Sequence, residues 1–197
     1  MKLHYAGKYS GNPDDLPYKD HEPGAVAFKE PKSSTALAII ATVIALVIWI
    51  ALNIIMSVRS GSLSISLIGI LFALLTLIPH ELLHAICFRD DVYFYTNLSK
   101  GILFVVGPER MSKRRFIFMS ILPNFLFGFI PFVIYLFSPN WIVLGTMGAV
   151  CITMGAGDYI NIFNALTQMP KGAWCYLHKF NSFWYMPKGK PGTCNES

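Results

Sequence analysis

Charge is what this sequence has least of. Only 14% of its 197 residues are Asp, Glu, Lys or Arg, while 54% are hydrophobic and the mean hydropathy is +0.49. So little charge with so much apolar side chain excludes intrinsic disorder and lies outside the range of ordinary water-soluble domains. The four cysteines, Cys87, Cys151, Cys175 and Cys194, form no C-x-x-C pair. That removes the zinc-ribbon and thioredoxin readings and leaves ordinary thiols. No charged head, short apolar core and cleavage site open the chain, so no cleavable signal peptide is expected. Internal repeats and low-complexity tracts are missing as well.

What the sequence has instead is long apolar runs. Residues 36–56 are apolar except for Thr42 and Asn53, and at about 1.5 Å per residue such a run crosses a hydrocarbon core roughly 30 Å thick. Further runs cover 63–88, 116–137 and 141–169. The third is interrupted by Pro123, Asn124, Gly128 and Pro131; the fourth carries Gly145, Gly148, Gly155 and Gly157. Those glycines predict close helix packing and a break at Gly155-Ala156-Gly157. Between the second and third runs, 92–95 and 102–106 read as a β-hairpin around Ser99, Lys100 and Gly101. The expected fold is an all-α integral membrane protein of about four transmembrane helices with one small cytoplasmic hairpin. Irregular tails, 1–35 and 170–197, flank a membrane-embedded domain at 36–169.

Sixteen Lys and Arg against eleven Asp and Glu give a formal charge of +5. The basic residues divide by compartment: Lys2, Lys8, Lys19, Lys29 and Lys32 in the first tail, six between Arg89 and Arg115, and Lys171, Lys179, Lys188 and Lys190 in the second tail. Arg59 alone falls on the other side. This is positive-inside bias, which puts both termini and the central loop in the cytoplasm and the protein in the cell membrane. The charge is a topogenic flank, so no nucleic-acid partner is expected.

Few ionisable groups remain inside the apolar runs: His80, Glu81, His84 and Asp158. An acid at mid-membrane costs on the order of 3 kcal/mol, so these groups need a shared reason to be there, and one bound cation supplies it. His80-Glu81-Leu82-Leu83-His84 is H-E-x-x-H. Four residues make just over one helical turn, so both imidazoles project from one face toward a single zinc ion. Glu81 points about 100° around the helix, beside the metal, where a carboxylate serves as general base. A catalytic zinc takes a third protein ligand, and Asp158 is the remaining intramembrane candidate, with a proton relay or interhelical bonding as its alternatives. On straight helices His84 sits roughly 7 Å and Asp158 roughly 20 Å below the cytoplasmic flank, a mismatch that tilt or a break near Gly155 closes. Asn124, Asn161 and Asn164 are candidates to orient the ligands, or simply to bond helix to helix.

His80-Glu81-Leu82-Leu83-His84-Ala85 followed by Gly155-Ala156-Gly157-Asp158 resembles a family of small bacterial membrane proteins, a domain-of-unknown-function family described as zincin peptidases. These are in turn similar to site-2-type intramembrane zinc metalloproteases. The resemblance covers about residues 63–166. It implies zinc ligands at His80, His84 and Asp158 with Glu81 as catalytic base. The L-D-G and N-P-D-G segments of the better-known site-2 proteases have no clear counterpart: Asp158 precedes Tyr159, and Leu122-Pro123-Asn124 is a loose echo.

The function expected is therefore zinc-assisted hydrolysis of peptide bonds in membrane or membrane-proximal substrates, with a membrane protein or peptide and the lipid bilayer as partners and Zn2+ as cofactor. A catalytically silent zinc-binding membrane scaffold is the alternative, and an ion or proton carrier using Glu81 and Asp158 is a third reading.

Overall fold

The computed structural model describes residues 1–31, 33–97, 101–179 and 181–187. Lys32, Ser99, Lys100, Lys188, Lys190 and Cys194, named above, lie outside them. In chain order the elements are β1 (Leu3–Lys8), a 3-10 turn (Pro13–Asp15), β2 (Val26–Ala27), α1 (Ser34–Ser60), α2 (Leu67–Leu75), α3 (Leu77–Ala85), β3 (Val92–Asn97), β4 (Ile102–Val106) and β5 (Met111–Ser112). There follow α4 (Lys113–Asn124), a π-helical segment (Phe125–Phe129), α5 (Ile130–Phe137), α6 (Ile142–Met154), α7 (Ala156–Gln168), β6 (Trp174–His178) and β7 (Asn181–Tyr185).

This corrects the all-α expectation: the fold is mixed α/β. One sheet has the order β1-β3-β4, and a second the order β2-β7-β6-β5. The hairpin expected around 92–106 is β3 and β4, with Phe94 opposite Val105 and Tyr95 opposite Phe104. The two segments expected as irregular tails supply four of the other five strands, and β5 follows the hairpin. β1 runs parallel to β3, with Leu3 opposite Val92, and β2 runs antiparallel to β7, with Val26 opposite Trp184. β1 is an edge strand exposed almost throughout, so it carries no alternation of apolar and polar residues for a sequence reader to find. The β6–β7 turn places Lys179 at φ 56°, where Gly or Asn is the usual signal.

The expectation of four spanning helices is corrected too. Three stretches, Thr35–Ser60, Leu67–Ala85 and Lys113–Phe137, are long and apolar enough to cross a membrane, while Ile142–Met154 and Ala156–Gln168 are a pair bent by 51°. Their surfaces fit an apolar solvent: Val58, Leu67 and Phe137 are each 81% exposed. The second stretch begins at Leu67 rather than residue 63 because Ser66 caps it, its side chain accepting from the Gly69 amide at 3.2 Å. A left-handed Gly61 (φ 75°) ends α1.

Helix packing depends on small residues in α6. A β-carbon on Gly145 would lie 2.6 Å from the Tyr135 ring, and one on Gly148 2.6 Å from the Phe132 backbone nitrogen. Helix α5 can therefore lie directly on α6, as the glycine run predicts. Around this contact Met56, Phe132, Tyr135, Ala149 and Ile152 form one buried cluster, and the Tyr135 hydroxyl donates to the Met56 carbonyl at 3.1 Å. A second cluster, including Phe28, Ala85, Phe88, Val92, Met111, Ala165 and Cys175, joins the sheets to α3, α4 and α7. A third, of Tyr9, Leu16, Tyr95 and Val106, fastens the N-terminal segment to the hairpin.

Candidate metal centre

Three helices build the centre. His80 and His84 lie on α3, one turn apart, with ring centroids 4.9 Å from each other. Asp158 is in the first turn of α7, where the amide-rich positive end of the helix favours a carboxylate. A bend of 51° at Gly155, the break expected from sequence, sets that first turn off from α6. His80 Nε2 lies 3.3 Å from Asp158 Oδ2, and His84 Nε2 3.3 Å from Asp158 Oδ1, with all three side chains 11–14% exposed.

The residues that orient these groups come from α4. Pro123 sits inside that helix, and a proline offers no N–H to the carbonyl four residues before it. That carbonyl belongs to Met119, and it meets His84 Nδ1 at 3.0 Å. With Nδ1 as the donor, Nε2 of the same ring is left bare toward Asp158, the arrangement a metal-ligating histidine needs. One turn on, Asn124 is fully buried and donates from Nδ2 to Asp158 Oδ2 at 2.7 Å. Its amide fits only because residue 155 has no side chain: a β-carbon there would fall 2.0 Å from Asn124 Oδ1.

Glu81 is held from the first sheet. Its Oε2 accepts the Val105 amide of β4 at 3.0 Å, which ties the motif's carboxylate to the hairpin. Ligand-type atoms of His80, Glu81 and His84 all lie within 4.8 Å of one another, the one such group of three among the described residues.

The donor set suits zinc. Two imidazole nitrogens and a carboxylate are a common catalytic zinc set, and ligands held tetrahedrally at 2.0–2.1 Å stand about 3.3 Å apart. The two nitrogen–oxygen separations of 3.3 Å run to different oxygens of Asp158, so the carboxylate faces both imidazoles at once. The imidazole nitrogens and the anchored Asp158 carboxylate fit a shared cation, with Glu81 also within reach of both histidines.

Of the sequence candidates, the structure brings together His80, Glu81, His84, Asp158 and Asn124. Asn164 is buried away from them, its Oδ1 accepting from Gln168 Nε2 at 3.0 Å, and Asn161 has no hydrogen bond to the histidines or Asp158 among the described residues. Sequence reading passed over Met119, Val105 and Gly155 as parts of the site. Pro123 is a legible sign of the first, since a proline at one position announces a free carbonyl four residues earlier; nothing local announces Val105.

Behind the site a buried carboxylate braces the loop from α3 to α4. Glu109 accepts the amides of Arg89 (2.6 Å) and Asp90 (3.1 Å) and pairs with Arg115, whose Nε also donates to the Cys87 carbonyl at 2.8 Å. Farther off, two histidines of the terminal segments meet: His178 Nδ1 lies 2.8 Å from the Lys19 carbonyl, and its ring stacks on His21 at 4.2 Å.

No curated protein and no solved structure matches the chain. A family profile does, over residues 73–174, a stretch that takes in both motifs and just over half of the sequence. The chain belongs to that family, DUF3267, whose description is "Putative zincin peptidase".

Proposed function

We propose that the protein is a membrane-embedded zinc metalloprotease of the site-2 type, acting on peptide bonds in membrane or membrane-proximal substrates. The observation that carries this reading is the convergence of both H-E-x-x-H imidazoles on Asp158, with Glu81 beside them. His80, His84 and Asp158 would hold the ion. Zinc in such a place supplies Lewis acidity toward the attacking water and the scissile carbonyl.

The remaining steps belong to the chain's own groups. Glu81 takes a proton from the attacking water and returns it to the leaving amine. The Met119 carbonyl keeps His84 in one tautomer and ring position, and Asn124 fixes the carboxylate of Asp158. A helical substrate hides its carbonyls in its own hydrogen bonds, so it must unwind before Glu81 can act on it. The pairing of β2 with β7 supports placing both terminal segments together, on the cytoplasmic side that the basic residues indicate.

The test measures zinc in purified protein and cleavage of a fluorescein-labelled unstructured peptide in micelles, for wild type, Glu81→Gln and His80→Ala. Zinc bound by wild type and Glu81→Gln but lost from His80→Ala is expected. Cleavage should fall by a factor on the order of 10²–10⁴ in Glu81→Gln. Metal-free wild type would overturn the proposal, and zinc with full biological activity in Glu81→Gln would leave the silent scaffold.

A further inference from the structure

Between the first turns of α1 and the middle of α7 lies a cleft of about 470 Å³. One wall is Leu37, Ile40 and Ile44, at the three- and four-residue spacing that puts side chains on one helix face; the other is Ile160 and Phe163. Two polar residues also line it, and both hydrogen-bond within the protein. The Tyr159 hydroxyl donates to the Ile152 carbonyl at 2.9 Å, and Asn164 Oδ1 accepts from Gln168 Nε2 at 3.0 Å. Charge enters only at the mouth, where Lys29 completes the lining. Its backbone amide donates to Gln168 Oε1 at 2.7 Å, which fixes residue 29 at the last turn of α7. The Lys29 side chain is exposed and has no carboxylate within ion-pair distance among the described residues. Glu30, next in the chain, is engaged elsewhere: its Oε2 accepts the Ser182 amide at 3.4 Å. On the membrane reading Lys29 stands at headgroup depth, on the basic flank just before the span that starts at Thr35.

We propose that the α1–α7 cleft binds an acyl chain of an anionic phospholipid, with the headgroup phosphate on Lys29. Hydrocarbon suits walls of leucine, isoleucine and phenylalanine, and an anionic headgroup supplies the partner that the ammonium lacks. A second copy of the chain in the same orientation would instead set its own basic flank against Lys29, so charge favours lipid over a dimer. The site is separate from the metal centre but not remote from it. Ile160 and Phe163 follow Asp158 on α7 by less than two turns. A lipid seated there packs against the helix that carries the carboxylate of the centre.

The test uses the full chain in micelles and native mass spectrometry, with dioleoylphosphatidylglycerol and dioleoylphosphatidylcholine as the anionic and zwitterionic probes. Wild type should bind the anionic lipid at one saturable site, about fivefold more tightly than the zwitterionic one, the worth of one lysine near a lipid surface. Lys29→Gln, a change at an exposed side chain, should bring the two lipids level. Lys8→Gln removes a basic residue of β1, outside the cleft, and should leave the preference as it was. Ile44→Trp fills the cleft and should lose the saturable site for both lipids; because a packing change risks the fold, Lys29→Gln decides where the two variants disagree. No preference in wild type, a loss in Lys8→Gln equal to that in Lys29→Gln, or a dimer in micelles that Ile44→Trp dissociates overturns the proposal. The measurement needs neither zinc nor cleavage, so metal-free, inactive protein that still prefers the anionic lipid sinks the protease and keeps the lipid site.

Discussion

His84 Nδ1 and the Met119 carbonyl lie 3.0 Å apart because Pro123 leaves that carbonyl without a helical donor. Pro123→Ala returns an N–H to the helix, where alanine is about 3 kcal/mol more favourable than proline. The carbonyl then has a competing donor and His84 loses its fixed orientation. Zinc affinity should fall tenfold to a hundredfold, as for other groups that orient metal ligands, while the thermal stability of the zinc-free protein holds or rises. Chelator competition and thermal unfolding measure the two effects; unchanged zinc affinity would refute the relationship.

Gly155 and Asn124 form a second such pair. A methyl group at 155 would collide with the Asn124 amide, so Gly155→Ala should cost about 1–3 kcal/mol of stability and loosen Asp158. Asn124→Ala loses the bond to Asp158 but makes the space. The double variant should be more stable than Gly155→Ala alone, a non-additivity that a double-mutant cycle reads directly.

Glu109 sets a limit at acid pH. Burial acts to raise its carboxyl, but the Arg89 and Asp90 amides and the Arg115 guanidinium outweigh it and hold it below the ordinary carboxylate value. A carboxyl lowered by folding adds stability that is present above its unfolded pKa, about 4.3, and is lost as pH falls through the folded value. Stability of the wild type should therefore drop below about pH 4. Glu109→Gln should be weaker by about 3 kcal/mol at neutral pH, since it strands Arg115, and should lack that part of the acid loss. Denaturant titrations from pH 3 to 8 would show the difference, and parallel curves would contradict it.

Burial in the cluster joining the sheets to α3, α4 and α7 pushes the Cys175 thiol up to about 12. Native protein at pH 8 should leave Cys175 unmodified by iodoacetamide and become reactive there only on unfolding. Peptide mass spectrometry follows it, and rapid native labelling would show that the second sheet is not closed as described.

Much of the site could be read from sequence because chemistry in an apolar run stands out: H-E-x-x-H and Asp158 are conspicuous where any charge is costly. The break at Gly155 and the hairpin at 92–106 were legible for the same reason, as local signals against a plain background. The strands of the terminal segments were not. β1 pairs with a strand nearly 90 residues away and is exposed on both faces, so nothing local marks it. β6 and β7 meet at a turn whose left-handed residue is Lys179, where no turn residue is expected. Val105 belongs to the site only through tertiary contact, which no window of sequence contains.

The strand pairings also bear on how the chain is assembled. Leu3 meets Val92 only after α1, α2 and α3 have been placed between them, and Val26 meets Trp184 only after every helix has been made. Each sheet can start as a local hairpin, β3 with β4 and β6 with β7, but β1 and β2 join them only after loop closure across the helices. On the membrane reading, insertion into the bilayer precedes closure of both sheets. A chain caught midway through synthesis has made the two histidines of α3 but not Asp158 of α7, so the three groups of the centre come together only once the last helix exists.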